Sequence, residues 1–212
     1  MIQRALKRVG DLLVAALLLV LLSPLLLATS LWILVDTGRP VLLRQQRAGK
    51  NGRPFQMLKF RTMVQDAVEV GRELGIEDAF GIIPDDPRIT RSGRALRRLN
   101  LDELPQLWNV LRGQMSLVGP RPDVVEQVAN YEPGDRRRLE VLPGITGLAQ
   151  VEGRDEIPWE KRFELDAYYV DHWSLWLDLR ILFRTLTEFA RPEPEPLDDR
   201  LNVERAKAAK TR

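Results

Sequence analysis

Leu12-Leu-Val-Ala-Ala-Leu-Leu-Leu-Val-Leu-Leu-Ser-Pro-Leu-Leu-Leu-Ala-Thr-Ser-Leu-Trp-Ile-Leu-Val35 is a run of 24 residues without a charge. As one straight helix it would reach ~36 Å, enough to cross a hydrocarbon core of ~30 Å. Ser23-Pro24 falls at its middle. Proline removes an amide donor and clashes with the preceding turn, and serine can bond back to a carbonyl and assist the bend. A helix broken there has two arms of ~12 residues, each ~18 Å long and too short to span. Cationic residues flank both ends, Arg4, Lys7 and Arg8 before and Arg39, Arg44 and Arg47 after. The positive-inside rule then places both ends in the cytoplasm. The run therefore reads as a re-entrant hairpin dipping into one leaflet, against the plainer reading of a single transmembrane helix. A signal peptide fits poorly, because the run is too long and no small-x-small cleavage site precedes a polar start.

Outward from this run the charge is uneven. Net charge is only +2 at pI 9.1, which excludes a globally basic nucleic-acid binder. Residues 1–61 nevertheless carry ten Lys or Arg against Asp11 and Asp36, a balance suited to anionic lipid. Cysteine is absent, so disulfides and thiolate metal sites are excluded. His172 is the only histidine, which removes any mechanism that needs a histidine cluster.

The rest reads as α+β, mainly helical. Val41–Arg47 and Phe55–Met63 flank a turn-rich Ala48–Pro54 segment and predict a small β-hairpin. Residues 64–80 read as a loose helix or loop, with a break at Pro84-Asp85-Asp86-Pro87. Thr90–Leu99 has helical spacing. Asn100 is expected to N-cap a helix, with Glu103 completing an Asn-x-x-Glu capping pattern and Pro105 in the first turn. Leu104, Leu107, Trp108 and Leu111 predict its buried stripe, and Gly113 its end. Asp123–Tyr131, Pro133–Glu140, Trp159–Tyr169 and Trp173–Phe189 read as helices, the last two amphipathic, and Leu142–Leu148 as a loop. Three regions are expected: a membrane hairpin over 1–38, a catalytic domain at the membrane surface over 39–190, and a disordered tail over 191–212, rich in proline and mixed charge.

The chemistry concentrates in residues 97–122. Asp102 and Glu103 sit where a helix is expected to begin, preceded by Arg91, Arg94, Arg97 and Arg98 and followed by Gly119-Pro120-Arg121-Pro122. Neighbouring side chains on a helix diverge by ~100°, so the two acids should divide tasks. Arginines attract phosphate, and a carboxylate among them can act as nucleophile or metal ligand. Prolines on both sides of Arg121 limit the freedom an oxyanion-binding arginine has left to lose. Pro143-Gly144-Ile145-Thr146-Gly147 and Gly153-Arg154 are glycine-bearing loops that could approach a nucleotide. Asp166 and Asp178 lie on apolar helices and need partners, Arg180 or Arg184 being the nearest for Asp178. Trp173 and Trp176 suit either core or the lipid headgroup level.

Read in order, the basic start with its run broken at Ser23-Pro24, Lys59-Phe-Arg-Thr-Met63, Leu101-Asp-Glu-Leu-Pro-Gln-Leu-Trp-Asn-Val-Leu111, Met115-Ser-Leu-Val-Gly-Pro-Arg-Pro122, Pro143-Gly-Ile-Thr-Gly147, Ala149-Gln-Val-Glu-Gly-Arg154 and Asp166-Ala-Tyr-Tyr-Val170 resemble the bacterial sugar transferases that act on polyprenyl phosphate, the small monotopic phosphoglycosyl transferases. The resemblance implies transfer of a sugar-1-phosphate from a UDP-sugar to undecaprenyl phosphate, with release of UMP, at the cytoplasmic face of the bacterial inner membrane. It implies Asp102 as a nucleophile forming a phosphosugar–aspartate intermediate, Mg2+ as cofactor held by Asp102 and Glu103, and Glu103 assisting at metal or phosphate. It further implies phosphate contacts from Arg97, Arg121, Lys59 and Arg154, with Asp178, Pro120 and Pro122 supporting. One departure is Leu148, where family members often carry an aromatic after the glycine. Two rivals remain at this level: a membrane-bound nucleotide-sugar pyrophosphatase, and a non-enzymatic adaptor binding anionic lipid. The sugar, the glycan and the oligomeric state, a homodimer included, are left open.

Overall fold

A computed structural model describes residues 2–75, 86–153 and 157–189. Arg154 and the segment 191–212 lie outside the described residues, as do Pro84 and Asp85. The chain begins with α1 (Ile2–Leu21) and α2 (Ser23–Thr37). No single helix among the described residues is long and apolar enough to cross a membrane, but this pair together is, and it is bent by 61°. The bend follows from chemistry at the break. Pro24 occupies the first turn of α2, and the Ser23 hydroxyl donates to the Val20 carbonyl at 2.8 Å, as the serine–proline reading expected. Both arms leave large apolar side chains exposed, among them Leu13, Leu17, Val20, Leu27, Leu31 and Val35.

β1 (Leu42–Ala48) and β2 (Pro54–Phe60) form the expected antiparallel hairpin, Leu42 opposite Phe60 and Ala48 opposite Pro54. Arg61, one residue past β2, is 5% exposed. Its guanidinium donates to the carbonyls of Thr37 at 2.9 Å, Gly38 at 2.8 Å and Arg39 at 3.1 Å. It thus satisfies carbonyls at the end of α2 that have no partner within the helix. The short α3 (Ala67–Glu73) follows.

α4 (Arg91–Arg98) is N-capped by Thr90, whose side chain accepts from the Gly93 amide at 2.9 Å. Gly93 lies flat against the Thr62 carbonyl; a Cβ there would come within 2.0 Å of it. The α4 terminus corrects a sequence expectation. Asn100 does not N-cap the next helix; it takes a left-handed conformation (φ 51°) and makes no side-chain cap. Its amide bonds to the Arg97 carbonyl, so it terminates α4 in the role usually filled by glycine and tolerated by asparagine. Leu101–Glu103 is a single 3₁₀ turn, and α5 (Gln106–Leu111) begins after Pro105.

α5 buries Leu107 and Val110, while Trp108, expected inside, is 46% exposed and stacks with Arg112. Asn109 is fully buried. Its amide donates to the Gln56 carbonyl and the Gln114 side chain, and its oxygen accepts from the Leu58 amide. That polar pin fixes β2 against α5. β3 (Ser116–Val118) is followed by α6 (Val125–Ala129), a 3₁₀ stretch over Asp135–Glu140 and β4 (Gly144–Thr146). β4, expected as loop, pairs in parallel with β3. α7 (Leu148–Gly153), α8 (Trp159–Asp171) and α9 (Leu175–Phe189) complete the described chain. The main core joins α1 to the rest through Ala15, Met57, Leu107, Val110, Met115, Val118, Tyr169 and Ile181. A second core of Ile33, Phe60 and Leu96 seats α2 on β2 and α4.

Candidate active site

Two elements converge on Glu103. Lys59 is the penultimate residue of β2, held in place by the Asn109 pin, and its Nζ lies 2.8 Å from Glu103 Oε1. Arg121 projects from the Pro120–Pro122 turn, its Nη2 2.6 Å from the same oxygen and its Nη1 3.2 Å from Oε2. The turn is buried at both prolines and exposed only at Arg121. Such a two-pronged guanidinium–carboxylate pair is both strong and directional. Glu103 is 17% exposed and Arg121 45%. Burial alone would raise the Glu103 pKa; Arg121 and Lys59 more than offset this and hold the carboxyl well below its usual range. Glu103 is therefore an anion at every physiological pH.

Asp102 differs from its neighbour. It is half-buried and makes no hydrogen bond or ion pair among the described residues. Its pKa is raised, first by burial and further by Glu103, with Lys59, Arg97 and Arg121 pulling the other way. The two adjacent acids thus differ in environment: Glu103 is bound to Lys59 and Arg121, and the Asp102 oxygens have no hydrogen bond or ion pair among the described residues. Arg97, in the last turn of α4, is oriented by a hydrogen bond from its Nε to Thr62 Oγ1 at 3.0 Å. Three cations thus influence two carboxylates, a surplus of positive charge suited to a diphosphate.

The structure brings Lys59, Arg121 and Glu103 into contact and sets Asp102 and Arg97 within their electrostatic reach. It does not bring Asp178 among them. Asp178 is 6% exposed and bonds to Lys7 at 2.7 Å, the Tyr169 hydroxyl at 2.7 Å and the Trp173 indole N–H at 3.1 Å. The partners expected from sequence, Arg180 and Arg184, are not the ones it takes. Arg184 pairs with Glu152 instead. Lys7 is 171 positions away from Asp178, and no local pattern signals such a pairing. Sequence reasoning also missed Thr62 as the orienter of Arg97, though it stands inside the Lys59–Met63 motif. Ser23 and Pro24 lie at the helix bend, and Arg154 falls outside the described residues.

No group of three or more His, Asp or Glu side chains poised for a metal occurs among the described residues. Of the two acids, Asp102 has oxygens to offer an ion; Glu103 would first have to release Lys59 or Arg121.

An acid without a hydrogen bond or ion pair among the described residues, within electrostatic reach of Lys59, Arg97 and Arg121, is an arrangement suited to handling phosphate. The bacterial sugar transferase family model matches residues 2–192, and the chain belongs to that family. It is 46% identical over 181 residues to an uncharacterized sugar transferase, EpsL, of Bacillus subtilis, covering 85% of each chain. It is 41% identical to the exopolysaccharide production protein ExoY of Rhizobium meliloti, covering 85% of this chain and 83% of that one. An undecaprenyl-phosphate galactose phosphotransferase of Salmonella typhimurium is 42% identical over 86% of this chain, which spans only 40% of that protein.

Proposed function

We propose that this enzyme, a phosphoglycosyl transferase, transfers a sugar-1-phosphate from a UDP-sugar to a polyprenyl phosphate, giving a polyprenyl-diphosphate-sugar and UMP. The observation that carries the reading is Asp102: ionisable, half-buried and unpartnered among the described residues, within electrostatic reach of Lys59, Arg97 and Arg121. In the first half-reaction an Asp102 oxygen forms a bond to the phosphorus that bears the sugar. The bond from that phosphorus to the bridging oxygen breaks, and UMP leaves with the electron pair. In the second, a phosphate oxygen of the lipid attacks the same phosphorus and the carboxylate is restored. Arg121 and Lys59, ordered by Glu103, neutralise charge on the diphosphate, and Arg97 adds to that field. Asp102 and the substrate's own oxygens are suited to hold Mg2+, which takes one or two carboxylates together with substrate phosphates and would supply further charge neutralisation.

The names of relatives that act on undecaprenyl phosphate support the acceptor. The exposed apolar faces and 61° bend of α1–α2 support entry into one leaflet, and the Lys and Arg residues flanking both ends support the cytoplasmic side of the inner membrane. Tags at Met1 and Arg212 should then both be found in the cytoplasm, and tags on opposite sides would establish a true crossing. A panel of UDP-sugars with undecaprenyl phosphate, read by UMP release, tests the chemistry. Turnover that needs both substrates is expected. Release of free sugar-1-phosphate without the lipid would make the protein a pyrophosphatase, and activity untouched by Asp102→Asn would remove the covalent step.

A further inference from the structure

Beneath the Pro120–Pro122 turn lies a charged cluster that the transfer reaction does not use. Arg138 is 6% exposed. It donates to the Asp123 carboxylate, to the Tyr131 hydroxyl at 2.7 Å and to the Arg121 carbonyl at 2.9 Å. Its Nη2 lies 2.7 Å from Asp166 Oδ2, an ion pair outside hydrogen-bond geometry. The ring of Phe163 covers the guanidinium at 5.1 Å. Burial would lower the Arg138 pKa, but Asp166 and Asp123 outweigh it and the pKa is raised, so the group stays a cation. Two carboxylates are more than charge neutralisation of one guanidinium requires. What the arrangement fixes is direction.

The turn is gripped along its whole length. The Val118 carbonyl accepts from Lys7 and Tyr169, that of Pro120 from the Gly144 amide, that of Pro122 from Arg47, and that of Asp123 from the Ala48 amide. Arg138 holds the centre, taking the carbonyl of Arg121 itself and the side chain two residues on.

We infer that Arg138 is a positioning residue for Arg121: it fixes the peptide from which Arg121 projects, so that the exposed guanidinium meets Glu103 and a bound diphosphate in register. The inference rests on the reading of Arg121 as a diphosphate ligand. A lysine at 138 would keep the charge between Asp123 and Asp166 but lose the planar fork that reaches several acceptors at once.

The test is a double-mutant cycle on UDP affinity of the full-length protein in detergent, measured calorimetrically, with melting temperature as a control. Arg121→Ala should weaken UDP binding at least tenfold. Arg138→Lys should weaken it about tenfold alone and leave it unchanged when Arg121 is already alanine, because coupled residues do not add. Equal weakening in both backgrounds, or no weakening in the first, overturns the inference. Tyr131→Phe removes one partner of Arg138 without altering charge. It should show the same dependence on Arg121 at smaller size, and it decides the matter if Arg138→Lys fails to fold. Should the unaltered protein not bind UDP, or Arg121→Ala bind it normally, the diphosphate reading of Arg121 fails, and the inference falls with it.

Discussion

Two clusters in this molecule are built from the same kinds of side chain and do different work. At the base of α1, Lys7 is 17% exposed and sits between Asp178 at 2.7 Å and Asp11 at 3.9 Å. Asp11 accepts from the Ser116 hydroxyl at 2.7 Å, and Asp178 from Tyr169 and Trp173. There both carboxylates have internal partners. Burial, reinforced by Asp178, pushes the Tyr169 hydroxyl far above its usual pKa, so it remains a proton donor. At the candidate active site, Lys59 and Arg121 share Glu103, and Asp102 is left with no hydrogen bond among the described residues. The first cluster holds α1 to β3 and α9. The second sets more cations around its two acids and leaves one of them, Asp102, without a hydrogen bond or ion pair among the described residues; on the proposed reading that is where the chemistry falls.

The largest expected effect comes from removing that one acid. Asp102→Asn should lower turnover by about a thousandfold or more and abolish labelling by a UDP-sugar carrying label in the phosphate attached to the sugar. Its melting temperature should not fall, because a half-buried charge with no ion-pair partner has been removed. The corresponding change in the other cluster should do the reverse. Asp178→Asn leaves the Lys7 ammonium with the more distant Asp11 carboxylate and the Val118 carbonyl and should cost about 3 kcal/mol, on the order of 6–12 °C in melting temperature for a chain of this size. Labelling through Asp102 should survive in whatever remains folded. If Asp178→Asn removed labelling at full stability, the division between the two clusters would be wrong.

Glu103→Gln should lower turnover by about ten- to a hundredfold and also move its pH dependence. Glu103 raises the Asp102 pKa, and Lys59 lowers it. A raised carboxyl pKa means that the carboxylate proposed as nucleophile is lost sooner on acidification. With residue 103 neutral, Asp102 should stay ionised to lower pH, and the acid limb of the rate profile should shift down. The smallest effect is on stability near Asp166. Burial, only partly offset by Arg138, raises its pKa to about 6, against ~3.9 for an ordinary aspartate. Between those values the folded form binds more protons than the unfolded one, so this group favours folding at low pH and that contribution is lost as pH rises through 6. Denaturant titrations across that window should show the slope, and Asp166→Asn should remove it.

Local chemistry made several of these features legible in the sequence. Ser23-Pro24 announced the bend, the turn-rich Ala48–Pro54 segment announced the hairpin, and Gly113, with φ 78°, ended α5 as glycine should. The Asp102–Glu103 pair and the prolines around Arg121 pointed to the candidate active site. What escaped was non-local. Asn100 could serve either helix end by composition, and only the docking of α4 on Thr62 decides which. The Gly144–Thr146 strand is defined by Ser116–Val118 and has no pattern of its own. Asp166 and Asp178 were visible as acids needing partners, but Arg138 and Lys7 are brought to them by the fold.

Arg61 carries a consequence beyond its own hydrogen bonds. By tying the last carbonyls of α2 to the residue that follows Phe60, it makes the bent helix pair and β2 one lever, with the Ser23-Pro24 bend at one end and the Lys59 ammonium near the other. The altitude of the reactive groups above that bend is then a fixed dimension of the protein. Under the proposed topology, how deeply the bend rests in lipid decides how far a polyprenyl headgroup must rise to be met.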